Sequence, residues 1–389
     1  MMKKVFFSVI FMSGALLLSN CKKDKTEPEA PAGNQSFVNP DVAKVYTGTQ
    51  SPGDVWTWHL DKEQGHMTAT WDHGTFDDTS DDIYIEGTLK SLPSGFYKVT
   101  ITKTIPATQE IPTDGSAWFY AMEVPDMALI IKPEGSIKGD IIAMVSQGEC
   151  SDVAGNYNYI VTGPGNGQNF DPITQEAWGF VQLTGSGSEF SISGSKFSLN
   201  CIDGGNCTEA GDISGFPMLT CTGGGAVVVK EGQSTVARGQ FTHAGAMMMD
   251  FGYGNGGIFA LQANASASKT SLKNNTFTGV AYMPKNQNDK NLPVRIQFFE
   301  NDLGSMIGTA HPFSNIESGT LDNDAGAVVV VQDVVNGRVL GNMNFDQEQN
   351  ETSKLVGALL VNGNKQILII SSYDTESENP FILVLAKQN

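Results

Sequence analysis

Val55-Trp56-Thr57-Trp58-His59-Leu60 places a large apolar side chain at every second position. Trp56, Trp58 and Leu60 then share one face of an extended strand, and Thr57 and His59 take the other. The stretch 66–73 repeats the pattern with Met67, Ala69 and Trp71. Between them, Asp61-Lys62-Glu63-Gln64-Gly65 is polar and ends in glycine, so the two runs read as a hairpin. Period two, not 3.6, continues outward through 83–89, 96–102, 118–124, 127–131 and 141–145, with Gly, Pro or Asp in the loops between. Seven or eight short strands in such a span suit a small antiparallel barrel or sandwich.

The same style persists to the end of the chain. A second unit, beginning near Cys150, offers strands at 157–161, 178–183, 190–193, 196–199, 226–230, 236–241 and 258–261. Gly185-Ser186-Gly187 and Ser193-Gly194-Ser195 read as turns between them. A third follows the polar spacer 263–268, with strands at 277–282, 294–299, 327–332, 338–342, 355–361, 366–371 and 381–385. Asn336-Gly337 and Asn362-Gly363 are its hairpin signals, because Asn-Gly accepts the positive φ angles of a type I′ turn. Gly225-Ala226-Val227-Val228-Val229 is echoed by Gly326-Ala327-Val328-Val329-Val330, too briefly to count as a repeat. No helical period of ten or more residues occurs beyond residue 20. The expected fold is all-β: two or three antiparallel sandwich- or barrel-like modules, divided as 37–148, 149–266 and 267–389.

With 24 Lys and Arg against 42 Asp and Glu, the formal charge is −18. That sign repels phosphate backbones, and no basic stripe offsets it, so nucleic acid is excluded as a partner. Of five cysteines, Cys150, Cys201, Cys207 and Cys221 form an even set, which in an exported chain suggests two disulfides. Four cysteines allow three pairings; Cys150–Cys201 with Cys207–Cys221 makes two sequential loops and is the pairing preferred here. The wide spacing between Cys201 and Cys207 argues against a zinc site.

The chain nominates no catalytic residue, no resident metal and no cofactor. His59, His66 and His73 fall in one window, but a strand of that length puts His73 roughly 20–24 Å from His66. Asp77, Asp78, Asp81 and Asp82 in one turn, and Asp322 and Asp324 in another, offer carboxylates to calcium. Neither turn has the Gly and terminal Glu of a calcium loop, and solvated turns are the competing reading. No Gly-x-Ser-x-Gly elbow occurs, and Gly163-Pro164-Gly165-Asn166-Gly167 precedes no helix that could receive a phosphate. Met247-Met248-Met249 reads as a buried strand or as a pliable contact surface. Trp56, Trp58, Trp71 and Trp118 are expected in the first core; an exposed one would make a platform for a sugar or peptide.

The amino end has a different character. Lys3 and Lys4 precede an apolar run over 5–18, and Leu18-Ser19-Asn20-Cys21 closes it. The run is too short to span a bilayer and has the order of an export signal. It resembles the lipobox of bacterial lipoproteins, with Asn20 departing from the usual small residue before the cysteine. The resemblance implies a signal peptide over 1–20, and lipidation of Cys21 by a thioether-linked diacylglycerol and an amide-linked acyl chain. Residues 21–36 are charged and contain proline, so they read as a flexible tether. The implied partner is a membrane, reached through the lipid, and Lys22 favours the outer membrane. The expected role is binding or structural at the envelope, with the ligand open. A glycan-active hydrolase using carboxylates and a small-ligand carrier barrel are the alternatives, and an enzyme is the lesser expectation.

Overall fold

The computed structural model describes residues 37–50, 53–73, 78–135, 141–162, 178–197, 209–213, 218–252, 256–283, 291–346, 351–372 and 381–387. Residues 1–36, with the signal, Cys21 and the tether, lie outside the described residues, as do Asp77, Cys201 and Cys207. Residues 37–389 form one compact unit. Among the described residues no α-helix occurs, and none is long and apolar enough to cross a membrane. The all-β expectation holds, and the modules are barrels.

The first sheet is a closed barrel in chain order: β1 (Lys44–Gln50), β2 (Val55–Asp61), β3 (His66–Trp71), β4 (Ile83–Ser91), β5 (Tyr97–Ile105), β6 (Ala117–Val124), β7 (Ala128–Gly135) and β8 (Ile142–Ser146). β1 pairs with β8 to shut it. The second contains β9 (Gly155–Thr162), β10 (Trp178–Ser186), β11 (Glu189–Phe197), β12 (Glu209–Ile213), β13 (Leu219–Gly223), β14 (Ala226–Glu231), β15 (Ser234–Phe241), β16 (Ala246–Asp250) and β17 (Gly257–Gln262). β17 returns to β9, while β10 pairs with β11, so eight strands close and β12 hangs on β11.

The third is built the same way from β18 (Thr276–Tyr282), β19 (Asn291–Glu300), β20 (Met306–Asn315), β21 (Thr320–Leu321), β22 (Ala327–Val335), β23 (Arg338–Asp346), β24 (Glu351–Asn362), β25 (Lys365–Ser372) and β26 (Ile382–Lys387). Here β26 returns to β18, β19 pairs with β20, and the extra strand β21 hangs on β20.

Each barrel is filled by its inward-facing residues. Trp56, Trp58, Leu60, Met67, Phe119 and their neighbours pack the first. Tyr157, Phe190, Phe241, Met247 and Met249 are in the second, and Phe277, Ile296, Phe298, Val329 and Leu368 in the third. A fourth core lies outside all three. Met122, Ile130 and Val145 of barrel 1 meet Met248, Phe259 and Leu261 of barrel 2 and Val280, Ile369 and Val384 of barrel 3 there. This explains the strands with no polar alternation. In β7, β8, β16, β25 and β26 odd residues enter a barrel and even ones the shared core, or the reverse, so both faces are dry.

Several sequence expectations shift. The strands at 190–193 and 196–199 are one strand, β11. Gly194 is its interior, where a Cβ would stand 2.2 Å from the Phe180 carbonyl oxygen of β10. At Asn336-Gly337 both residues have positive φ, 50° and 78°, as a type I′ turn requires. The second hairpin is displaced by one: Asn362 pairs with Lys365, so the loop is Gly363-Asn364, with positive φ at Gly363. A single disulfide is described, Cys150–Cys221, joining a 3-10 turn to β13. It overturns the pairing of Cys150 with Cys201 and of Cys207 with Cys221. The physical reason is that β13 packs against the 3-10 turn that precedes β9, so barrel closure brings Cys221 to Cys150 across a sequence separation of 71.

Candidate functional site

The densest unsatisfied chemistry among the described residues lies at the seam of barrels 1 and 2, where β1 and β8 pack against β15 and β16. Asp250, at the end of β16, is 2% exposed and spends both carboxylate oxygens on amides and a hydroxyl. Its Oδ2 accepts from the Thr49 hydroxyl and from the Asp54 backbone N–H at 2.8 Å. Its Oδ1 accepts from the Gly252 N–H at 2.6 Å. The Asp54 carboxylate in turn takes the Trp71 indole N–H at 3.1 Å and the Gln50 amide at 3.0 Å.

Asp72 follows directly on β3 and points outward to barrel 2, where Arg238 of β15 approaches its Oδ2 at 3.3 Å. Asp81 and Asp82 lead into β4, whose first residue Ile83 pairs with Trp71. The second oxygens of Asp72, Asp81 and Asp82 are buried and have no hydrogen-bond partner among the described residues. Burial pushes the Asp72 carboxyl up to about 7, against the pull of Arg238 and with help from Asp82, Asp81 and Asp250. An ion-paired aspartate is ordinarily held low; here the loss of water outweighs one guanidinium shared among several acids. Burial also raises Asp82 and Asp250, the latter against three hydrogen bonds that favour its charged form.

Of the calcium candidates, Asp81 and Asp82 belong to this seam, while Asp78 faces solvent and accepts from the Ser80 N–H. Asp322 caps its own turn by accepting from Asp324 and Ala325. Among the described residues no three His, Cys, Asp or Glu side chains gather as a metal site would require. The seam was only half legible in the sequence. The acidic turn is conspicuous, but its partners Asp250 and Arg238 lie more than 150 residues away.

The histidines separate. His59 and His66 sit on the polar face of the β2–β3 hairpin, opposite Thr68 and Asp61. His66 stacks on Phe37 at 4.2 Å, and Asp61 accepts the Asn39 N–H at 2.9 Å. That amide and the Gln64 N–H hold the Asp61 carboxyl below its ordinary value. His73, at the far end, meets Glu110 at 3.1 Å and stands edge-on to Trp71. Trp71 is half-buried and stacked on Trp56 at 5.1 Å. Trp118 is half-buried outside barrel 1, beneath the Lys98 ammonium at 4.9 Å, and Lys98 pairs with Glu317 of barrel 3.

No protein-family model matches the chain, and a sequence search of curated proteins found no match. Among solved structures it is similar to a double mutant of transferrin binding protein B from Haemophilus parasuis, at 10% identity and a TM-score of 0.27. That similarity covers 90% of this chain and 66% of the other, so the chain spans just under two thirds of that protein's length. A Bacteroides fragilis protein provisionally classed as an outer membrane protein is also 10% identical, with 90% and 98% covered and a TM-score of 0.19. A protein of unknown function from Nostoc punctiforme is 10% identical, with 89% and 94% covered and a TM-score of 0.21. At such scores these likenesses carry no argument about function.

Proposed function

We propose that the chain is a lipid-tethered envelope protein whose three-barrel body binds or scaffolds through its outer surface. The observation that carries this reading is the amino end: a basic start, an apolar run, Cys21, and a polar stretch before the body opens at Phe37. Sixteen residues reach at most roughly 50–55 Å when extended, enough to hold the body clear of a bilayer. The fastening is consistent with this use. Phe37 on His66, and Asn39 on Asp61, secure the first described residues to the turn end of the β2–β3 hairpin. A pull on the tether is therefore borne by a barrel strand pair.

This reading puts recognition on the outer surface, and the packed barrel cores support it. Trp58, Phe119 and Leu129 in the first and Phe277, Phe298 and Val329 in the third are fully buried among neighbours, which removes the reason to read either as a hollow carrier. The raised carboxyl of Asp72 favours a second reading, an acid–base pair for glycan hydrolysis. The tethered-binder reading is preferred because Asp72 is ion-paired with Arg238 across two barrels, with Asp81 and Asp82 in the same seam.

The anchoring is tested by growing cells on a clickable palmitate analogue. The full chain should take up label and partition into the membrane fraction, and Cys21→Ala should do neither. Label retained by Cys21→Ala would sink the proposal.

A further inference from the structure

The seam of barrels 1 and 2 holds more negative charge than it can neutralise. Barrel 1 contributes Asp54 before β2, Asp72 at the end of β3, and Asp81 and Asp82 before β4. Barrel 2 contributes Asp250 from β16 and, among the described residues, one cation, Arg238 from β15. Asp250 is satisfied by amide and hydroxyl donors, and Asp54 by Trp71 and Gln50. Asp72, Asp81 and Asp82 each keep one buried oxygen that accepts no hydrogen bond from the described residues. An ionised oxygen without a donor, out of water, costs far more than a protonated one, and like charges beside it add to the cost.

We propose that this seam is a proton-sensitive joint, closing more tightly when its carboxylates take up protons and loosening as they ionise. The direction follows from linkage. The Asp72 carboxyl is raised in the folded seam from 3.8 to about 7, so the closed state binds its proton more strongly than the open chain does. Its stabilising share is fully present below the unfolded value and is lost as pH rises through about 7. Asp82 and Asp250 are displaced the same way by burial and reinforce it, while Arg238 opposes it. Barrel 3 contributes none of these groups. The joint would therefore loosen locally, at Asp54 and at residues 250–252, while the apolar core shared by the barrels keeps the body folded. The inference does not depend on the lipid anchor.

Hydrogen exchange of the full-length protein at about pH 6 and about pH 8, corrected for intrinsic rates, tests it. The amides of Asp54 and Gly252 both donate to Asp250 and report opening directly. Their protection should fall roughly tenfold between the two conditions, while amides of β25 and β26 keep theirs. Asp72→Asn should remove most of that dependence, and Asp82→Asn should reduce it. Equal protection of the seam amides at both pH values would overturn the proposal, and so would an unchanged dependence in either variant. The wild-type comparison decides even if a variant fails to fold.

Discussion

Met248 shows how one side chain can serve the whole assembly. It is 1% exposed, between Met247 and Met249, which turn into barrel 2, while it alone turns outward into the core shared by three barrels. Truncating it empties a space bounded by elements that cannot all collapse at once, so Met248→Ala should cost about 2–5 kcal/mol. Urea unfolding should show a lower midpoint at constant slope. Leu303→Ala, at a position 89% exposed, should stay within about 0.5 kcal/mol of wild type and serves as the control. The methionine run was legible as a buried strand, because a run without polar alternation demands two dry faces. What covers the second face was not legible, since Val280 and Ile369 belong to other barrels. The cysteines taught a similar lesson, as Cys221 reaches Cys150 through barrel closure and not through nearness in sequence.

Hairpins were the most readable elements, and the β22–β23 turn is the most constrained of them. Its Asn336 carbonyl accepts the Asn158 side-chain amide of barrel 2 at 2.9 Å, and the Gly337 carbonyl accepts the Leu359 N–H at 2.6 Å. A side chain on Gly337 would be strained at φ 78° and would place its Cβ 2.6 Å from the Leu359 carbonyl oxygen. Gly337→Val should therefore destabilise by at least about 1–3 kcal/mol and lower Tm, whereas Gly363→Ala, with nothing within 4 Å, should cost less. Calorimetry of the two variants side by side checks the order.

Less readable were strands interrupted by residues that ordinarily mark turns. β20 carries Gly308 and Pro312, and β11 carries Gly194, yet all three lie within ladders. In β11 and β20 glycine permits close approach of a neighbouring backbone, a need created only by closure of the barrel. The Gly-Ala-Val-Val-Val echo falls on β14 and β22, the fifth and fourth closing strands of their barrels. It therefore reflects common strand chemistry and not the correspondence of barrels 2 and 3.

At the scale of the molecule, the three barrels have separate interiors and a joint exterior, and the joint part decides how they unfold. Each barrel alone would expose a face that is as apolar as its own core: Tyr120, Met122, Ile130 and Val145 on the first, Ile160, Met248 and Leu261 on the second, Ile367, Ile369 and Val384 on the third. Burying such side chains is worth about 1.5–3 kcal/mol each, so separating one barrel forfeits far more than the polar bridges between them supply. Those bridges, among them Arg295 to the Ser94 carbonyl and Lys365 to the Pro125 carbonyl, fix orientation more than energy. A chain of this length ordinarily divides into domains that melt separately. Here residues 37–389 should instead unfold in one transition, with calorimetric and van 't Hoff enthalpies in agreement. Met248→Ala should lower that single transition as a whole, because the residue it removes belongs to every barrel's packing. Two resolved transitions in the wild type, or a Met248→Ala variant that splits off barrel 2 alone, would show that the shared core does not couple the barrels.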